Sequence, residues 1–229
     1  MEKLHEKRFP NESAEYREAR NKVLNAEKEL RLKIEEVAAM RREMPLGGKL
    51  KEDYVFEELD PSGKILHTKF SEFFSQGKDT LIVYSFMFGP EATVPCTSCS
   101  SIMDGINGMV HHVKDRMNFV VITKSEINRM KEWIDKKDWS KLRFLSSEKN
   151  SYNIDYFAEN EKGSQLPILN VFRKTPDEIY HTYATELLYV PAEPGQNGRH
   201  VDMIWPLWNM FDYTPEGRGT DWYPKHKYE

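Results

Sequence analysis

Cysteine is nearly absent from this chain: 229 residues hold two, and they stand three apart as Cys96-Thr97-Ser98-Cys99. One such pair closes only a single small ring, so a disulfide-stapled scaffold is excluded. A second Cys-x-x-Cys or a histidine pair at ligand spacing is missing too, and a structural zinc site needs about four ligands. The expectation is therefore no metal and no cofactor. Long apolar runs are also lacking. The longest, Leu81 to Phe88, falls far short of the ~20 residues that span a bilayer. Met1 to Pro10 mix Glu, Lys, His and Arg, so no signal-peptide core is expected there. Charge of one sign is not in excess: 33 Lys and Arg face 37 Asp and Glu, a formal net of -4. Neither a polybasic nucleic-acid surface nor an acidic tail follows from that balance. The chain is expected to be cytoplasmic, where a stapling disulfide does not persist and a paired thiol motif is better suited to cycling.

What is present begins with periodicity. From Ser13 to about Met44, residues Tyr16, Ala19, Val23, Ala26, Leu30, Ile34 and Val37 recur at spacings of three and four, which predicts one long helix. Ser13 suits the N-cap, Glu15 the first turn, and Pro45 with Gly47-Gly48 the stop. Its narrow apolar seam asks for cover from the main domain or from a second copy of the chain, so a homodimer is left open. Tyr54 to Leu59 and Lys64 to Phe70 flank Asp60-Pro61-Ser62-Gly63 and predict a β-hairpin. A short helix is expected over Ser71 to Gln76. Strands are expected over Thr80 to Met87, Asn118 to Thr123, Leu142 to Leu145, Leu166 to Arg173 and Glu178 to Tyr183. Helices are expected over Cys99 to Val113, Ser125 to Lys137 and near Asp202 to Phe211, the last kinked or started by Trp205-Pro206. The order, a hairpin, then β-α-β-α-β, then β-β-α, predicts an α/β sandwich on a mixed sheet. One elaborated domain over 46–200 is expected, with a helical extension at 1–45 and a C-terminal helix and aromatic tail at 201–229.

Cys96 stands where a strand turns into a helix, and in open α/β sheets sites form there. Positions i and i+3 share a helix face, and the exposed N–H groups and positive dipole end favour a thiolate at the first cysteine. Reversible redox chemistry is one reading; two inert buried thiols are the other.

Strand, loop, Cys-x-x-Cys opening a helix, and later Leu166-Pro167-Ile168 running into a strand: this ordering resembles the thioredoxin fold. The resemblance implies that Pro167 faces the cysteines and holds substrate backbone, in a bond that is usually cis in that fold. Longer segments are more specific: Met44-Pro45-Leu46-Gly47-Gly48, Phe86-Met87-Phe88-Gly89-Pro90, Arg143-Phe144-Leu145-Ser146-Ser147, His181-Thr182-Tyr183 and Asp212 to Gly219. Over roughly residues 10 to 228 the chain looks like the bacterial family catalogued as domain of unknown function 899. That family is described as thioredoxin-like and as a predicted dithiol-disulfide oxidoreductase. The resemblance implies a dithiol pair with Cys96 as nucleophile and Cys99 as resolving thiol but brings no substrate; a protein or small-molecule disulfide or peroxide is the partner expected.

Departures from better-known thioredoxins lie beside the pair. Pro95 replaces the usual Trp, and Thr97-Ser98 the usual Gly-Pro; both hydroxyls can donate to a thiolate. Peroxiredoxins carry a Thr or Ser three residues before the peroxidatic cysteine, and Thr93 has that offset from Cys96. Their Pro lies seven before, where Gly89 stands here and Pro90 follows. That second resemblance implies a thiol peroxidase with Thr93 orienting the peroxide and Arg143 or Arg173 beside the thiolate. A non-catalytic binding protein on the same fold, using the long helix and the tail, is the third reading. His111-His112 are adjacent on a predicted helix and point about 100° apart, so exposed histidines are expected rather than a metal pair. Asp104, five residues past Cys99, points away from the cysteine face. Asp155 with Glu159 and Asp177 with Glu178 read as solvated carboxylates. The C-terminal Trp and Tyr residues read as core packing and a surface clasp as readily as a substrate groove.

Overall fold

The computed structural model describes residues 3–196 and 203–228. The chain forms two compact units, Met1–Pro45 and Leu46–Glu229. The first is built on helix α1, Ala14–Glu43. Ser13 caps it, its hydroxyl accepting the Tyr16 amide at 3.0 Å, and Arg41 and Arg42 complement the dipole in the last turn. Arg17 is its one buried residue, ion-paired to Glu12. On the apolar seam Tyr16, Val23, Leu30 and Ile34 are 48, 44, 61 and 39% exposed.

The second unit is a seven-stranded sheet. Its strands are β1 (Val55–Leu59), β2 (Ile65–Lys69), β3 (Thr80–Phe86), β4 (Asn118–Thr123), β5 (Phe144–Ser146), β6 (Ile168–Lys174) and β7 (Ile179–Ala184), in the order β2-β1-β5-β4-β3-β6-β7. β3, β4 and β5 run parallel, while β6 lies antiparallel on β3 and β7 antiparallel on β6. Helices α2 (Thr97–Arg116) and α3 (Ile127–Lys137) make the two parallel crossovers. This β-α-β unit followed by an antiparallel β-β pair is the thioredoxin-like fold, with the expected hairpin added at one edge. Turn chemistry closes that hairpin: the Asp60 carboxylate accepts the Ser62 and Lys64 amides at 2.8 and 2.9 Å, and Gly63 takes φ +85.

Strand alternation divides the core. Tyr84 and Phe86 of β3 join Cys99, Ile102, Met103 and Ile106 of α2 and Met130 and Trp133 of α3 on one face of the sheet. Leu81 and Val83 join an aromatic cluster of Tyr54, Phe56, Phe70, Phe73, Tyr152 and Phe172 on the other. Two short elements differ from expectation. The Ser71–Gln76 helix is a 3-10 turn over Phe70–Phe73, because Phe70 and Phe73 both turn into that aromatic cluster. The last helix, α5, spans only Leu207–Asp212 with Pro206 as its N-cap, so the proline starts it; Asp202 lies outside the described residues. A further short helix, α4 (Tyr152–Asp155), carries no sequence signal of its own. Gly47 is required where the chain enters the sheet: its N–H donates to the His181 carbonyl at 3.0 Å, and a Cβ there would lie 2.5 Å from that oxygen. No helix among the described residues is long and apolar enough to cross a membrane.

Candidate functional site

β3 is buried along nearly its whole length and delivers the chain to a loop, 87–95, that returns to Cys96. The loop closes on itself where the Cys96 amide donates to the Met87 carbonyl at 3.0 Å. Arg129 of α3 clamps it from outside, donating to the Pro90 carbonyl at 2.6 Å and to the Ala92 carbonyl, with its guanidinium 4.8 Å above the Phe88 ring. Thr123 at the end of β4 donates to the Phe88 carbonyl at 2.9 Å. Pro95 is buried, and its carbonyl contacts His226 Nε2 at 2.9 Å.

Cys96 is the N-cap of α2 and half-buried. Its sulfur accepts the Cys99 amide at 3.5 Å, and its carbonyl accepts both the amide and the hydroxyl of Ser100. The first turn of this 20-residue helix has no acidic side chain, while Lys114 and Arg116 sit in the last. The positive end of the dipole is thus left to act on the Cys96 sulfur, the arrangement that favours a thiolate. Cys99 lies beneath it, 1% exposed. Its hydrogen bond to the Cys96 sulfur, with complete burial second, pushes the Cys99 thiol well above the usual thiol range; a hydrogen bond from Tyr84 opposes that rise. The Tyr84 hydroxyl is 3.3 Å from Cys99 Sγ. The inner thiol therefore stays protonated at neutral pH, while the outer sulfur is half-buried at the helix end.

Cys96 opens into a cavity of about 570 Å³ whose other walls include Met87, Gly89, Ala92, Lys162 and Gln165. Thr93 is exposed on the loop, and Thr97 and Ser98 are the first two residues of α2, both half-buried. Pro167 is half-buried two residues past Gln165, at the entry to β6, and its peptide bond is trans like every other among the described residues.

Tyr84 is the site residue that sequence reasoning missed. Its signal was there: in a strand ending just before the pair, a residue two places from Phe86 shares its face, and a tyrosine there brings a hydroxyl under the helix. The arginines expected beside the thiolate are elsewhere. Arg143 is bidentate to Glu58 at 2.8 and 2.6 Å, and Arg173 pairs in register with Thr80, at the far end of β3 from the loop. Asp104 is half-exposed and accepts from the Trp139 indole at 2.8 Å, so it does not underlie Cys99. Asp155 and Glu159 are not solvated: their side chains are 13 and 12% exposed, and Glu159 lines the Cys96 cavity. Glu178 is exposed and pairs with Lys49 at 2.8 Å. His111 and His112 are exposed, and no group of three or more metal-ligating side chains forms among the described residues. In the C-terminal segment Trp205 and Trp208 pack into the core, 1 and 0% exposed, with the Trp205 indole donating to Ser101 of α2 at 3.1 Å, while Tyr213, Trp222 and Tyr223 are exposed.

Comparison with known proteins gives a family and a set of distant structural likenesses. The family described as "Bacterial protein of unknown function (DUF899)" matches residues 6–228. No curated protein matches the sequence. Among solved structures, a reduced 2-Cys peroxiredoxin from Plasmodium vivax is 14% identical, with 73% of this chain and 96% of that one covered at a TM-score of 0.49. Reduced Prx3 from Vibrio vulnificus in complex with hydrogen peroxide is 14% identical, covering 67 and 91% at 0.46. A PrxQ mutant from Xylella fastidiosa is 9% identical, covering 61 and 87% at 0.45.

Proposed function

The chain belongs to the DUF899 family, and from the geometry of its own thiols we propose that it is a thiol-disulfide oxidoreductase with Cys96 as nucleophile and Cys99 as resolving thiol. One observation carries this reading: a half-buried sulfur at an unneutralised helix N-terminus, open to a cavity, lies directly over a buried thiol held in its protonated form. Two inert thiols would need neither the cavity nor the difference in burial.

In the forward step the Cys96 thiolate attacks one sulfur of a substrate disulfide, forming a mixed disulfide and releasing the other sulfur as a thiolate. Cys99 then gives up its proton to that leaving group or to water and attacks Cys96 Sγ. The substrate's second thiolate departs, the substrate has gained two electrons, and the protein holds a Cys96–Cys99 disulfide that an external dithiol reduces. Tyr84 stabilises the Cys99 thiolate as it forms. Pro95, Thr97 and Ser98 adjoin the pair in sequence, and with Thr93 and Pro167 they are the residues proposed to support substrate binding. Protein or small-molecule disulfides are the substrate class, and a cytoplasmic setting suits it.

The test is Cys99→Ser, incubated separately with a disulfide and with hydrogen peroxide. The oxidoreductase reading predicts a mixed disulfide trapped on Cys96 and no accumulation of sulfenic acid. Sulfenic acid at Cys96 with fast peroxide consumption would instead make the chain a thiol peroxidase. No adduct with either would leave it a binding protein on this fold.

A further inference from the structure

A second cavity, of about 850 Å³, has its β6 wall on the sheet face opposite the thiols and shares only Glu159 with the Cys96 cavity among their lining residues. Its volume falls in the range of small-molecule sites. β6 alternates Ile168 and Asn170 into it, whereas Leu169 between them packs toward the Cys99 side. The inner wall is polar but satisfied: Asn170 is 1% exposed, its Oδ1 is 2.9 Å from His181 Nε2, and its amide donates to the Tyr156 carbonyl. His181 comes from the His181-Thr182-Tyr183 segment, and burial lowers its pKa, which keeps it neutral.

The mouth is aromatic and strained. Phe157 holds φ +55, a conformation a bulky residue adopts only when the surroundings impose it. The residue is nevertheless 65% exposed, so core packing is not the return for that strain. Tyr189 fixes it in place, donating to the Phe157 carbonyl at 2.8 Å with the two rings edge to face at 6.3 Å. Tyr156 adds a third aromatic wall.

The charge is one-sided. Lys49, the cation of the lining, is held by Glu178 at 2.8 Å. Asp155 is offset by Lys51. Glu159 faces Lys124 at 3.9 Å, and its Oε2 is buried with no hydrogen-bond partner among the described residues. Glu161 and Glu186 line the cavity with no ion pair among the described residues. Exposed aromatic faces beside uncompensated carboxylates favour a cation that carries apolar surface.

We propose that this cavity is a binding site for a small organic ammonium with a flat apolar body of one or two rings, lying against the exposed surface of the Phe157–Tyr189 pair with its charge toward Glu186 and Glu161. The proposal does not rest on the redox reading. Full-length protein titrated with 1-naphthylmethylamine, followed by chemical shifts or calorimetry, tests it, with 1-naphthaleneacetate as the counter-probe. Saturable binding of the amine is expected, weakened about tenfold for the acid and about tenfold by Glu186→Gln. Phe157→Gly relieves the left-handed backbone, so it folds at least as well as the parent, and is expected to weaken the amine by a similar factor. Cys96→Ser should bind the amine as the parent does. Equal binding of amine and acid, undiminished binding by folded Phe157→Gly, or no saturable binding of the amine would each overturn the proposal.

Discussion

At the scale of single residues, the division of labour between the two sulfurs is set by one turn of helix. Cys96 lies at the end of α2 and Cys99 under it, so the same backbone that activates the first thiol buries the second. Burial of a neutral thiol has a consequence for stability. The Cys99 pKa is raised in the folded state, so its contribution is full below about pH 8.5, where the unfolded thiol is protonated, and is lost as pH rises toward the folded value. Urea midpoints of the reduced protein should therefore fall between about pH 8 and about pH 10, and fall less in Cys99→Ser; parallel declines would contradict the assignment. Tyr84→Phe keeps the ring and removes the hydroxyl 3.3 Å from Cys99 Sγ. It should slow closure of the Cys96–Cys99 disulfide by about fivefold, the effect of one hydrogen bond of about 1 kcal/mol, and leave Cys96 alkylation unchanged. Stopped-flow closure rates decide it. The pair itself was legible from spacing alone; for Tyr84 the alternation gives only the face it shares with Phe86, and its place beneath the thiols depends on which sheet face receives α2.

At the scale of elements, the loop between β3 and α2 matters more than either end. Its carbonyls at Pro90 and Ala92 turn outward to Arg129, a residue of α3 that the apolar pattern of that helix passes over. Such a contact joins positions 39 and 37 apart in sequence, and periodicity has no means of pairing a helix-surface arginine with a distant backbone. Arg129→Met keeps the apolar stem over Phe88 and removes the donors. It should cost about 2 kcal/mol and speed hydrogen exchange of the Cys96 amide, which closes the loop on Met87; unchanged exchange would show that the loop holds without it. Strand and helix order was readable because the central strands β3 and β4 are continuous apolar runs buried along their length, while α2 and α3 bury one face at a period of 3.6. The failures were the shortest pieces, the 3-10 turn at Phe70–Phe73 and α4, whose few residues take their shape from the aromatic cluster they enter.

At the scale of the whole molecule, two unlike layers enclose one sheet: an aliphatic and tryptophan-rich side carrying the thiols, and an aromatic side carrying the second cavity. The helical unit at 1–45 has a seam of its own. With Tyr16, Val23, Leu30 and Ile34 exposed at near-heptad spacing, a second copy of the chain is the cover we propose. Sedimentation should show a dimer that Leu30→Glu converts to a monomer, and a monomeric parent would remove this proposal without touching the site. The central claim is that Cys96 and Cys99 form one redox couple, and intact-mass spectrometry across a graded glutathione buffer measures it directly. The account predicts a reversible loss of two hydrogens with a single midpoint and the linkage mapped between Cys96 and Cys99; two thiols that stay free throughout, or carry only separate glutathione adducts, would contradict it.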